Sequence, residues 1–279
     1  MEKLPSSRLD IKIIALDLDD TLLNKELKIT PKTVAALQKA AFAGIYVVPC
    51  SGRTENAILP FVHVLNIAGM ETGRYIIASN GTSVFDLHKR TQILSQKVSA
   101  EVLLHVENAA SEMGLPCQVY DPSTIYANVD NKYTRLDADL CNLKLEIVDD
   151  FKTFLQKGHP KMVVPGDPET LLVLQDKLKA ELNGKAVIFI SKPYFLEIMP
   201  YNCGKGEALV WLCNHLGIDS EKSMAFGDSM NDESMIRMAK HSVAMINGLP
   251  YIKDIAPYVT RLSNEEDGIG DFIENFIRL

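Results

Sequence analysis

Short apolar, β-branched runs alternate with helical patterns at both ends of the chain. Ile11–Leu16, Ile45–Cys50 and Tyr75–Ser79 stand early, and Ser223–Phe226, Val243–Met245 and Tyr258–Thr260 late. Runs that are apolar on consecutive positions read as strands of a parallel sheet, buried on both faces. Between the first two, Thr30-Pro31 opens a segment that places Val34, Leu37 and Ala41 on one face and ends near Gly44. Proline suits the first helical position, so this is a strand–helix–strand unit. Further helices are predicted at Met230–Ala239, Gly248–Ile255 and Ile269–Ile277, and the two ends of the chain form one α/β domain.

The middle of the chain is patterned differently. An amphipathic helix at Glu101–Met113 precedes strand patterns at Cys117–Tyr120 and Thr124–Ala127, and a polar irregular stretch at Asp130–Asn142. A strand at Met162–Val164, a helix at Pro168–Leu182 and paired strands at Ala186–Ser191 and Phe195–Met199 follow. Closely spaced strands with few helices predict an antiparallel sheet covered on one face. This α+β insert is placed at residues 84–193, which leaves 1–83 and 194–279 for the first domain.

Composition narrows the classes. The 279 residues are 47% hydrophobic and 23% charged, an ordinary globular balance that excludes general disorder. A net charge of −7 offers no general attraction to nucleic acid or acidic lipid, and no apolar run approaches the roughly 18 residues of a membrane span. The five cysteines include no C-x-x-C pair, and the start of the chain has no apolar signal core. A cytoplasmic protein with neither nucleic acid nor membrane as partner is expected.

Four places combine a strand end or helix start with chemistry. The run Ile13–Leu16 leads into Asp17-Leu18-Asp19-Asp20, and in an extended chain Asp17 and Asp19 project to the same side. Two carboxylates there repel unless a cation lies between them, although an acidic capping turn has the same composition. Ser51-Gly52-Arg53 stands at the next strand end, where a hydroxyl and a glycine N–H suit a tetrahedral anion, as they also suit a plain turn. Lys205 opens a helical pattern against the macrodipole, which favours a charge aimed at phosphate, while a solvated surface lysine is the bland alternative. Gly227-Asp228-Ser229-Met230-Asn231-Asp232 follows a strand and begins a helix, offering oxygen ligands to a hard cation or acidic caps to the helix. No H-E-x-x-H or G-x-S-x-G pattern supports a zinc or serine hydrolase.

The order of these motifs resembles the haloacid dehalogenase (HAD) superfamily, and more closely its Cof-type (subfamily IIB) phosphatases. The resemblance spans nearly the whole chain, including Ser79-Asn80-Gly81, His159-Pro160-Lys161-Met162 and Glu266-Asp267-Gly268-Ile269. It implies an α/β, Rossmann-like core with an inserted α+β cap that carries specificity, lidding the site on hinges near 81–84 and 192–200. It further implies a phosphatase in which Asp17 is the nucleophile, forming an aspartyl-phosphate, and Asp19 the acid and base. Magnesium would be held by Asp17, the main-chain carbonyl of Asp19, Asp228 and, through water, Asp232. Ser51, Gly52, Lys205, Asn231 and the Leu18 backbone would cradle the phosphoryl group, with Arg53 orienting its loop.

The substrate expected from the resemblance is a small phosphorylated metabolite, foremost a sugar phosphate. A phosphomutase or a non-catalytic phosphometabolite-binding module are the alternatives. Cap residues Tyr126, Asp130, Lys132, Arg135 and Lys161 are candidates for the leaving group or for a solvated face. Many relatives carry glycine where Asp20 stands, so an altered turn or added hydrogen bonds are expected there.

Overall fold

The computed structural model describes residues 3–279. In chain order the first part contains β1 (Ile13–Leu16), α1 (Pro31–Phe42), β2 (Tyr46–Pro49), α2 (Glu55–Leu65), β3 (Tyr75–Ala78), β4 (Ser83–Asp86) and β5 (Thr91–Ser95). The middle contains α3 (Ala100–Glu112), β6 (Gln118–Tyr120), β7 (Thr124–Ala127), α4 (Lys132–Cys141), β8 (Lys144–Ile147), α5 (Phe151–Leu155), β9 (Met162–Pro165), α6 (Pro168–Glu181), β10 (Ala186–Lys192) and β11 (Phe195–Pro200). The last part contains α7 (Lys205–Leu216), β12 (Ser223–Gly227), α8 (Glu233–Met238), β13 (His241–Ala244), α9 (Pro250–Ile255), β14 (Tyr258–Val259) and α10 (Gly268–Phe276).

The chain divides into two compact units, residues 1–94 with 204–279, and residues 95–203. In the first, β14-β13-β12-β1-β2 make a parallel sheet with β1 between β12 and β2. The Cys50–Ile77 bridge continues this order towards β3, which pairs antiparallel with β4 in a three-stranded sheet of order β3-β4-β5. Successive β1 residues bury on opposite sides. Ile14 and Leu16 join Leu37 of α1 and Phe272 of α10, while Ile13 and Ala15 join Leu209 of α7 and Met235 of α8. Helices therefore cover both faces, which is why the strands are continuously apolar. All loops that follow the carboxyl ends of β1, β2 and β12 leave the sheet at one edge, the edge where open α/β sheets bind ligands.

The second unit, the cap, is a six-stranded mixed sheet in the order β10-β11-β9-β6-β7-β8. Val119, Met162, Val164, Leu196 and Ile198 bury one face against α3 and α6. The expected antiparallel sheet needs one correction, because β7 and β8 are parallel. A parallel pair requires a crossover, and that crossover is α4, in the stretch expected to be irregular. Asn131 caps α4 by accepting from the Thr134 N–H at 3.0 Å, while the Thr134 hydroxyl accepts from the Asn131 N–H at 2.9 Å. Local capping thus makes a helix from a segment too polar to show an apolar stripe. The unit boundaries fall after Leu94 and Cys203, later than the expected 84 and 193, since the separate β3-β4-β5 sheet lies in the first unit and β11 pairs within the cap sheet.

Candidate active site

Asp17 follows β1 directly, and its N–H donates to the Phe226 carbonyl at 3.1 Å, continuing the parallel ladder for one residue. The chain then tightens through Leu18–Leu22, with Asp20 at φ 60°. This left-handed conformation explains why a glycine would be at home there. Asp20 adopts it with its main-chain carbonyl accepting from Asn247 Nδ2 at 2.8 Å, a bond that a glycine there would accept equally.

Lys205 is completely buried and donates to the carboxylates of Asp17 and Asp232, the latter at 2.6 Å. The solvated-surface alternative for this lysine is therefore wrong. Its position depends on a close approach of α7 to the start of α8. A side chain on Gly206 would lie 2.4 Å from the Ser234 backbone, and the Gly206 N–H donates to Ser234 Oγ at 2.9 Å. Gly227 makes the matching allowance at the end of β12, where a Cβ would stand 2.6 Å from that of Asp232. Asp232 then turns back, and its Oδ2 accepts from the N–H groups of Asp228 and Ser229 at 2.9 and 3.1 Å.

Asp228 is held by the Thr21 hydroxyl, which donates to its Oδ1 at 2.9 Å. Thr21 was not among the expected site residues, and its place after the acidic run was the available cue. Carboxylate oxygens of Asp17, Asp228 and Asp232 lie within 4.8 Å of one another, all three residues buried. Burial, then Asp232, raises the Asp17 carboxyl well above the ordinary range against the pull of Lys205. Burial, with Asp232 second, pushes Asp228 up to about 7. Burial would lower the Lys205 ammonium, but Asp17 and Asp232 outweigh it and hold it raised. Three buried acids against one ammonium leave negative charge uncompensated, and oxygen-only donors fit a hard divalent cation.

Asp19 takes another partner. Arg53 donates to its two oxygens from Nε at 3.0 Å and from Nη2 at 2.6 Å, a bidentate pair. Asp19 nevertheless lies near enough to raise Asp17 electrostatically. Ser51 is buried after β2, and its Oγ accepts from the Arg53 N–H at 3.2 Å, so the loop around Gly52 is held internally. Asn231 is oriented by Ser229 Oγ, which donates to its Oδ1 at 2.7 Å, and donates in turn to Asn80 Oδ1 at 3.1 Å. Asn80 is a second residue that joins this constellation without having been singled out individually. Cys50 is buried nearby, and burial pushes its thiol up, the opposite of a reactive thiolate.

A site of clustered acids and one buried lysine at the carboxyl edge of a Rossmann-like sheet defines a metal-assisted phosphate-handling protein class. The sequence matches the haloacid dehalogenase-like hydrolase family over residues 14–273, and the chain belongs to that family, with the Cof type as its branch. It is a phosphoric monoester hydrolase. A curated relative, the 5-amino-6-(5-phospho-D-ribitylamino)uracil phosphatase of Bacillus subtilis, is 32% identical over 291 aligned positions, covering 96% of this chain and 98% of its own. The HMP-PP phosphatase of Serratia proteamaculans is 27% identical, covering 96% of each chain. The crystal structure of a haloacid dehalogenase-like hydrolase from Bacteroides thetaiotaomicron superposes with a TM-score of 0.84 at 31% identity, covering 95% of this chain and 98% of the other. Among the described residues no helix is long and apolar enough to cross a membrane.

The charge imbalance gives a pH dependence. Asp228, ordinarily near 3.8 and raised to about 7, binds its proton more tightly folded than unfolded. The stability this contributes is complete below 3.8 and is lost as pH rises through about 7. In chelator, the denaturation midpoint is therefore expected to be higher at about pH 5 than at about pH 7.5, and an added hard divalent cation to raise the midpoint at the higher pH. A metal-free midpoint that stays level across this range would contradict the uncompensated cluster.

Proposed function

We propose that the protein is a magnesium-dependent phosphatase of small phosphorylated metabolites, foremost sugar or polyol phosphates, working through an aspartyl-phosphate on Asp17. The observation that carries this is the buried juxtaposition of Asp17, Lys205, Asp228 and Asp232 at the strand edge. Asp17, Asp228, the Asp19 carbonyl and, through water, Asp232 are the residues that would hold magnesium. Bound there, the ion supplies positive charge that lets an anionic nucleophile meet an anionic ester.

Asp17 attacks phosphorus, the ester bond breaks, and water later hydrolyses the acyl phosphate to regenerate the carboxylate. Asp19 gives its proton to the departing alkoxide and then takes one from the attacking water. Arg53, bonded to both Asp19 oxygens, fixes the orientation of this carboxyl. Lys205, Ser51, the Gly52 N–H, the Leu18 backbone and Asn231 hold the phosphoryl oxygens in place. The metabolite class is supported by the two curated phosphatases, one of which is named for a substrate whose phosphate sits on a ribityl chain.

The test is phosphate release from a panel of sugar phosphates, polyol phosphates and an aryl phosphate, with magnesium and with chelator. Release in magnesium and none in chelator is expected, and Asp19→Asn should lose more on alkyl esters than on the aryl ester, whose leaving group needs no proton. Undiminished release in chelator would overturn the metal dependence. Isomerised sugar phosphate in place of inorganic phosphate would identify a mutase.

A further inference from the structure

A cavity of about 310 Å³ lies wholly within the first unit, and no residue placed in the candidate active site lines it. It is bounded by α9, by β14 and by the segment ahead of β1. Leu4, Ile246 and Val259 give it an apolar side. Lys3, Lys253 and Arg261 bring three positive charges to the same cavity, against the one negative charge of Asp254. The chain as a whole has a net charge of −7, so this cluster runs against the general balance and makes a local positive field.

The walls of the cavity are bonded to one another. The Val259 N–H donates to the Lys3 carbonyl at 2.8 Å, the Ile246 N–H to Thr260 Oγ1 at 2.9 Å, and Lys253 Nζ to the Ile246 carbonyl at 3.0 Å. Ile246 is thus fixed through both its N–H and its carbonyl, although the residue is 45% exposed. An apolar side chain held in this way is a preformed surface, which costs little ordering when a ligand covers it. Lys3 Nζ donates to the carbonyls of Lys253, Asp254 and Ala256 at the end of α9, at 2.8, 2.9 and 3.1 Å. Those bonds use all three of its N–H groups, so Lys3 offers the cavity charge alone. Lys253 has two N–H groups left after its bond to Ile246. Arg261 gives Nε and Nη2 to the Asp271 carboxylate, which leaves the two N–H groups of Nη1. Among the described residues neither lysine is paired with a carboxylate.

We propose that this cavity is a binding site for a small organic monoanion, a carboxylate carried on an apolar ring or branched chain. The carboxylate accepts from the remaining N–H groups of Lys253 and Arg261, and the apolar body covers Leu4, Ile246 and Val259. The charge count sets the class. Asp271 neutralises Arg261 and Asp254 offsets one lysine, so one positive charge is left over, the match of a monoanion. A sugar phosphate has no apolar body for Ile246 and carries more charge, so the site is separate in chemistry as well as in place from the phosphatase site, and it does not depend on that reading.

The test is a fluorescence titration with anilinonaphthalenesulfonate, an aromatic monoanion that brightens on binding, beside phenylnaphthylamine, which has the same rings and no charge. The wild type is expected to bind the anion about tenfold or more tightly than the uncharged probe. Lys253→Gln keeps a donor for the Ile246 carbonyl and removes the charge. It is expected to weaken the anion about tenfold and the uncharged probe less than about threefold. Ile246→Ser, at an exposed position, should weaken both probes. Naphthoate should displace the anionic probe, and inorganic phosphate, which lacks the apolar body, should not. A denaturation curve of each variant shows that it is folded. Equal affinity of the wild type for the two probes would overturn the proposal, as would anion binding that neither folded variant changes, or displacement by phosphate as readily as by naphthoate.

Discussion

Asp17→Asn is expected to lower turnover by about four orders of magnitude or more while the protein stays folded. The amide is nearly the same shape as the carboxyl and lacks the anionic oxygen that attacks phosphorus. Folding is spared for a reason visible in the site. Burial and Asp232 already disfavour the ionised Asp17, so removing its charge relieves repulsion as well as attraction. Lys205 keeps its bond to Asp232 at 2.6 Å, and the asparagine oxygen can accept from it as the carboxylate did. The measurement is phosphate release beside a denaturation curve of the same preparation. Turnover close to wild type in a folded Asp17→Asn protein would remove Asp17 from the nucleophile's role.

Lys205→Met is expected to abolish turnover as well, and to destabilise the fold where Asp17→Asn does not. The methionine fills most of the lysine volume, but Asp17 and Asp232 then remain buried with no ammonium between them. Removing one partner of a buried ion pair typically costs about 3–5 kcal/mol, because the remaining charge is neither solvated nor paired. The sign of the pH effect follows. Burial already raises the Asp17 carboxyl and Lys205 is what opposes that rise, so acid protonates Asp17 in the variant, and the loss should shrink at about pH 5 and widen at about pH 7.5. Magnesium should restore part of the stability without restoring activity, since its charge replaces the ammonium while the phosphoryl oxygens lack their lysine. Denaturation midpoints of variant and wild type, with and without magnesium at both pH values, would check this, and an unshifted midpoint would show that the lysine is not structurally coupled to the acids.

Much of the architecture was legible in the chain. The strands at Ile13–Leu16, Tyr46–Pro49, Tyr75–Ala78 and Ser223–Gly227 coincide with the apolar runs to within about two residues at either end, as ends fray between criteria. Their periodicity is a local property, and burial on both faces leaves no polar alternation to mislead. The helix α4 was not legible, because its stability comes from the Asn131 and Thr134 caps and from packing of Ala138 against Tyr120 and Ile125, rather than from an apolar stripe. The parallel β7–β8 pair was missed with it, since the direction of β8 depends on the crossover that α4 makes.

The candidate site divides along the same line. By itself the sequence determined which residues stand at strand ends and helix starts, because apolar runs, glycines and acids encode those positions within a few neighbours. Asp17, Ser51, Lys205 and Asp228 were all found in this way. Only the tertiary structure decided their pairing. Lys205 and Asp17 are 188 positions apart, Thr21 and Asp228 are 207 apart, and Arg53 reaches Asp19 across 34. No local pattern specifies such contacts, and none carries the desolvation that sets their charge. A lysine that is ordinary on a surface becomes the ammonium partner of two buried carboxylates once α7 docks on α8. Charge state, partner and role follow from burial, and burial is a property of the packed chain.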